Sequence, residues 1–457
     1  MSRLARITIA LTALLFVGGS SVGAPASSAP RRSPTPEQRL DRKIQQWKAS
    51  KTQFHKGAKL DNFQLVGHTD LGGDIDFGDV YGHANFAYVG TRCGDDHQGG
   101  KGVRVVDISN PRQPGVVSTL EGPPFTRSED VVVIDVSTPS FTGALAVVGI
   151  QACFDSGHES EVVPGIRFFD VTDPAHPTLL GHWDLPQGTI GCHEIDAVQR
   201  PDGMVLAGCA RNLVDHINSN GAVAVHFVDA TAPANPTTLS DWTLNLDPFG
   251  GVGCLPFQFA HSVRFQDQGL SAYVSYWDHG TVHLDVANPA SPAVVSTTNI
   301  VPPDEDGDNH SMTLAKGGAW LVINPEDFSP GDCPGESAFG AWGEGYVYDN
   351  SDPANSAFLG TFSTPNSRST RDDGAFTIHN TEVVESDQFF SSWYSDGVVW
   401  WTMEDRGESH QLGQFVPPAS DAPPLVWGVY PVSGKSLILA SDIVSGLWII
   451  RPKGLGF

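Results

Sequence analysis

Cationic residues are scarce in this chain: 27 Lys and Arg stand against 52 Asp and Glu, for a formal charge of −25 over 457 residues. Such a surface repels phosphate backbones, which excludes nucleic acid as an expected partner. Long apolar runs are also missing. The first one, Ile7–Val17, is too short to span a bilayer, and no later run reaches eighteen residues, so no membrane insertion is expected. The six cysteines, at 93, 153, 192, 209, 254 and 333, include no C-x-x-C pair, which argues against a thiolate zinc site. No H-E-x-x-H and no phosphate-binding loop occurs.

What is present begins with a leader. Arg3 and Arg6 precede the apolar Ile7–Val17, and Ala24-Pro25-Ala26 supplies a small-residue cleavage site, so residues 1–26 read as a secretory signal peptide. The mature protein is expected to be secreted, extracellular and monomeric. In that compartment six cysteines suggest three disulfides, for which the count alone allows fifteen pairings. Residues 27–61 read as a linker and a short helix; Glu37–Lys51 has helix-forming composition, and its polarity places it on the surface.

From residue 62 to 457 short apolar runs alternate with Gly- and Pro-containing turns, an all-β pattern. Residues 260–296 show the unit: four short strands with turns between them. The third strand of each unit ends in Asp before a Pro-containing turn, as in GVRVVDISNPRQP, GIRFFDVTDPAHP, AVHFVDATAPANP, TVHLDVANPASP and YVYDNSDPANS. These aspartates are 107, 170, 229, 285 and 349, with Thr402 in a degraded sixth copy and Arg451 in a seventh. Five copies at a turn point to a structural role: a carboxylate accepting the backbone N–H two residues on, with Pro presetting φ.

The motifs VRVVDISNPRQP, IRFFDVTDPAHP and SAYVSYWDHGTVHLDVANPASP resemble the LVIVD-repeat family of bacterial and archaeal surface or secreted β-propellers. The resemblance runs over most of residues 62–452 and implies a propeller fold, while the family's activities are largely unassigned. Seven units can be counted. The last supplies only three strands, and the stray segment Phe63–Leu71 looks like the fourth strands elsewhere, so a seven-bladed β-propeller with its N-terminal strand closing the last blade is expected.

Aligning the first strands of the units places His193, His261, His310 and His379 at one level, with Gly78, Glu129 and Trp427 at the same position of units one, two and seven. First strands line a propeller's channel, so four imidazoles from consecutive blades would meet at its mouth. Imidazole binds Zn, Cu, Fe and Ni at about 2.0–2.1 Å. Carotenoid-cleaving oxygenases and selenium-binding-protein-type thiol oxidases share this layout and none of the motifs, so the analogy is architectural. Glu129 is either an acidic partner of the ring or a solvated carboxylate.

The long loops 94–101, 154–164, 211–221 and 324–344 should crowd the same rim. Tyr276, Trp277, His279, Trp393, Tyr394 and Trp427 either shape a pocket there or pack between blades. Three disulfides fit this layout: Cys192–Cys209 across one hairpin, bracing His193, then Cys93–Cys153 and Cys254–Cys333. The acidic loop 304–309 resembles the start of a calcium loop but lacks its Gly and terminal Glu, which leaves a solvated loop with calcium as the alternative. Two functions fit these residues. One is a transition-metal protein (Cu, Fe, Zn or Mn), in the extreme a small-molecule oxidoreductase. The other is a metal-free scaffold for a small molecule or an extracellular protein partner.

Overall fold

The computed structural model describes residues 36–50, 57–73, 75–94, 97–154, 156–251, 257–299, 307–328, 342–369, 371, 373–385, 387–419 and 422–457. The leader, Cys254, Cys333 and 304–306 of the acidic loop lie outside these residues. Seven antiparallel sheets form a closed ring. Their first strands are Phe77–His83, Val131–Ser137, Cys192–Gln199, Ala260–Gln266, Asn309–Ala315, Thr381–Glu385 and Val426–Val432. Each touches the first strand of the next blade, and the seventh touches the first. The protein is therefore a seven-bladed β-propeller.

Closure takes the expected form. Phe63–Thr69 pairs with Gly446–Pro452 and supplies the outer strand of blade seven, from Phe63 opposite Pro452 to Thr69 opposite Leu447. The stretch before it does more than link: Lys59–Asp61 adds a fifth, outermost strand to blade six by pairing with Ser409–Val416. One short N-terminal segment thus stitches two blades.

The apolar core is divided among the blade interfaces. Blades two and three meet through Leu145, Val147, Phe168, Ile195 and Ala207, and blades seven and one through Leu439, Ile449, Val80 and Val89. Equivalent clusters fill the other five interfaces. Both faces of each sheet are covered, which explains why second strands such as Leu437–Asp442 are buried along their whole length.

Two local devices recur. The five repeat aspartates each accept the backbone N–H two residues on, at 2.7–2.9 Å, as the turn chemistry requires. The second device was not anticipated. In every blade the pairing of third and fourth strands carries a bulge, followed on the fourth strand by Ser118, Gly181, Ser240, Ser296, Gly360, Gly413 or Gly67. The serines donate to turn carbonyls of the next blade: Ser118 to Pro174 at 2.5 Å, Ser240 to Pro289 at 2.6 Å and Ser296 to Pro353 at 2.5 Å. Gly67, Gly181 and Gly360 let that carbonyl come closer still, while Gly413 faces Asp61 of the added strand; a Cβ on Gly67 would lie 2.0 Å from the Pro111 oxygen. Bulges twist the outer strand, and small residues let it dock on its neighbour.

Gly67→Val should accordingly weaken the seam between blades seven and one by about 1–3 kcal/mol, the cost of overpacking. Urea denaturation checks this, with Ser118→Ala expected to cost less.

Candidate metal centre

His193, His261 and His310 are the second residues of the first strands of blades three to five, and His379 lies two residues before the first strand of blade six. His193, His261, His310 and His379 are all buried, with His379 fully so. Their rings form a continuous arc: centroids lie 4.2 Å apart for His193–His261, 4.1 Å for His261–His310 and 4.0 Å for His310–His379. Trp427 of blade seven continues it, 4.3 Å from His379, and the Arg92 guanidinium lies 4.4 Å from the Trp427 ring. The Cys192–Cys209 disulfide ties first to second strand beside His193.

Two carboxylates approach the arc. Glu194 Oε1 is 3.4 Å from His310 Nε2 and 3.8 Å from His261 Nδ1. Glu326 Oε1 is 3.7 Å from His379 Nε2 and is held by the Tyr394 hydroxyl. Donor atoms of Glu194, His261 and His310 lie within 4.8 Å of one another, and so do those of His310, Glu326 and His379. His193 Nε2 meets His261 Nε2 at 2.8 Å. Among the described residues His310 Nδ1 is buried without a hydrogen bond, and such an atom costs about 1–3 kcal/mol if nothing else engages it. Burial holds the His310 and His379 imidazoles well below the usual His range, assisted at His310 by the neighbouring His379, His261 and His193. At neutral pH they are uncharged, the form that binds metals.

Below the arc the channel is acidic. Burial pushes Asp79 up to about 7, Asp130 up to about 8 and Asp196 up to about 6, and Glu194 well above the ordinary carboxylate range, with Asp130 reinforcing the shift at Glu194. Asp130 and Asp196 also accept backbone N–H groups of the next blade, Ile195 at 2.7 Å and Phe265 at 2.6 Å, bonding first strands that share no ladder. The channel cation Arg264 is paired with Glu382 at 2.9 Å; burial opposes its charge, but Glu382, Asp196 and Glu194 outweigh burial and raise its pKa.

The N-terminal helix Pro36–Ser50 covers the mouth, a correction to its expected place on the surface. Leu40 and Ile44 are buried against Phe376, Tyr394, Leu425 and Trp427, with Trp47 packed alongside. Asp41 pairs with Arg92 at 2.5 Å and Lys48 with Asp76 at 2.9 Å. Three apolar residues at positions i, i+4 and i+7 suffice for a docking stripe on a helix that is polar elsewhere.

Glu129 does open blade two at the ring level, yet its carboxylate faces Arg127 at 2.9 Å and Arg92 at 3.6 Å; Glu194 and Glu326 are the acids beside the imidazoles. Trp277 backs His261 with centroids 5.0 Å apart, and Tyr394 and Trp427 flank His379. Tyr276 and Trp393 are core residues instead: Tyr276 packs on Trp242, and Trp393 lies between Phe362 and Trp401. His279 is partly exposed beside Tyr276. Cys93–Cys153 and Cys192–Cys209 are bonded as expected, while Cys254 and Cys333 lie outside the described residues.

Sequence reasoning missed Glu194, Glu326, Asp79 and Asp130. The same alignment carried a signal for three of them, since Asp79, Asp130 and Glu194 occupy the position after the ring residue in blades one to three. Glu326 arrives from the long 324–344 loop, and nothing local marks it.

The channel acids give a pH signature. Asp130 titrates near its ordinary 3.8 when unfolded and near 8 when folded. Its protonated state therefore contributes stability that is full below about pH 4 and is lost as pH rises toward 8. Asp130→Asn keeps the neutral form, so its stability relative to the parent should grow across that window by up to about 1.4 kcal/mol per pH unit. Denaturation at stepped pH reads this; a flat difference would show the carboxylate ionised throughout.

Comparison with known proteins agrees with this architecture. The LVIVD repeat model matches residues 78–121 and 269–299. A solved β-propeller domain, that of Cps50 (Swd1) from Myceliophteria thermophila, superposes with a TM-score of 0.50 at 11% identity, covering 86% of this chain and 99% of that one. At that identity the likeness concerns the fold alone. No curated protein matches the chain. The matched repeats and the closed ring together make this chain a seven-bladed propeller that fits the LVIVD-repeat family.

Proposed function

We propose that this propeller is an exported metalloprotein whose capped channel mouth holds one transition-metal ion and acts as a small-molecule oxidoreductase. The observation that carries the proposal is the pair of overlapping donor sets, Glu194–His261–His310 and His310–Glu326–His379, that share His310. Imidazole nitrogen with a carboxylate oxygen suits Cu, Fe, Zn or Mn. The cysteines among the described residues are all oxidised, so none of those four is a thiolate donor. Export is inferred from the basic and apolar leader together with the disulfides.

A metal bound there would supply Lewis acidity or, as Cu, Fe or Mn, electron transfer. The chain's own residues do the rest. Burial keeps the His310 and His379 imidazoles neutral at ordinary pH. Tyr394 fixes the Glu326 carboxylate, and such a hydrogen bond orients a ligand and tunes its basicity. The helix and the aromatic set Trp277, Tyr394 and Trp427 exclude bulk water, so only a small substrate reaches the arc while the helix is docked.

One observation favours a second function, a metal-free extracellular binding scaffold. The His193–His261 contact is a good hydrogen bond at 2.8 Å and uses both nitrogens with no metal. In that case the looped rim would take a small molecule or a protein partner.

Elemental analysis of untagged protein separates the two. The metal proposal expects about one equivalent of Cu, Fe, Zn or Mn, lost in the doubly substituted His261→Ala, His310→Ala protein with the β-sheet circular dichroism retained. Protein that takes up no metal after reconstitution with each of the four ions is a scaffold.

A further inference from the structure

Between the docked helix and blades one and two lies a separate cavity of about 130 Å³. A cavity of about 150 Å³ accommodates benzene, so this one has room for a ligand of a few heavy atoms. Its lining is unlike the rest of the molecule. In a chain of net charge −25, three arginines converge here: Arg42 from the helix, Arg92 after the second strand of blade one, and Arg127 before the first long strand of blade two. Arg92 and Arg127 are almost completely buried, at 3% and 2% side-chain exposure. Glu129 lies between them, Asp41 pairs with Arg92, and Asp76 pairs with Lys48. Arg42 also lines the cavity, from an exposed helix position, and makes no ion pair or hydrogen bond among the described residues. Phe154 supplies an apolar wall, with the Arg127 guanidinium 5.8 Å from its ring.

We propose that this cavity is a binding site for a small carboxylate of two or three carbons. The carboxylate would take the fork of Arg42, and the Phe154 wall would cover its carbon end. Guanidinium matches a carboxylate in planar, two-point geometry, and Arg42 has its fork unengaged by the described residues. The site adjoins the histidine arc without belonging to it: Arg127 donates to Gln151 at 2.5 Å, and Gln151 meets His193 at 3.3 Å. The proposal does not depend on a metal. Because the walls come from both the helix and the blades, an occupied site would also fasten the helix down.

The test is calorimetric titration of the full chain with sodium acetate, at an ionic strength held constant with sodium chloride, before and after treatment with EDTA. Saturable binding of about one equivalent is expected, unchanged by EDTA. Neutral acetamide, of the same shape, should give none. Arg42→Gln, at an exposed helix position, should weaken acetate binding about tenfold, the usual worth of a charge-assisted pair. Absence of saturable acetate binding, equal binding of acetamide, or an unchanged affinity in Arg42→Gln would overturn the proposal. Binding that disappears with EDTA would assign the acetate to a metal and overturn it as well, without touching the metal proposal.

Discussion

The pairing of Phe63–Thr69 with Gly446–Pro452 is the constraint on which the rest depends. Chain ends almost four hundred residues apart must meet before blade seven has an outer strand, and only then does its first strand lie against that of blade one. Without closure two sheet edges would stand open, and the apolar cluster between blades seven and one would face water. The small residues after each fourth-strand bulge serve the same end, since seven wedge-shaped interfaces must all be tight for the ring to meet. Lys59–Asp61 on blade six extends the seam by one sheet.

Closure also sets the electrostatics. The first strands bring two kinds of titratable group to one axis, imidazoles above and carboxylates below. Burial acts on them in opposite senses: it strips protons from His310 and His379 and keeps them on Asp79, Asp130 and Glu194. His310 and His379 are therefore uncharged at neutral pH, and Arg264 is paired with Glu382. Acid and base end up in contact without ion pairing, a poised arrangement that either accepts a cation or persists as a hydrogen-bonded network. The helix Pro36–Ser50 seals it from above, so its residues belong to the site as much as those of the blades do.

Much of this was legible in the residues, and the reason is periodicity. The Asp-and-Pro turn recurs five times, so the number of blades, the closure and the level of the four histidines could all be read by aligning one unit on another. Two disulfides followed from the same frame. The missing parts lack repetition or depend on tertiary contact. Glu326 stands in a single loop insertion. Leu40 and Ile44 are two apolar residues in a polar helix, and only the hydrophobic rim formed by Phe376, Tyr394 and Trp427 gives them meaning. Glu129 sat at the right level, but no sequence spacing reveals that Arg92 and Arg127 converge on it. The bulge-and-small-residue device was periodic and still escaped notice, because Gly and Ser are common in any strand-and-turn chain.

The central claim is that the imidazole arc is a metal site, and anomalous diffraction tests it most directly. Crystals of the full chain grown with zinc, measured on both sides of the zinc absorption edge, should show one strong peak within about 2.0–2.2 Å of nitrogens of His261 and His310 and an oxygen of Glu194 or Glu326. Zinc bound only elsewhere, with the His193–His261 hydrogen bond intact and no peak at the arc, would contradict it.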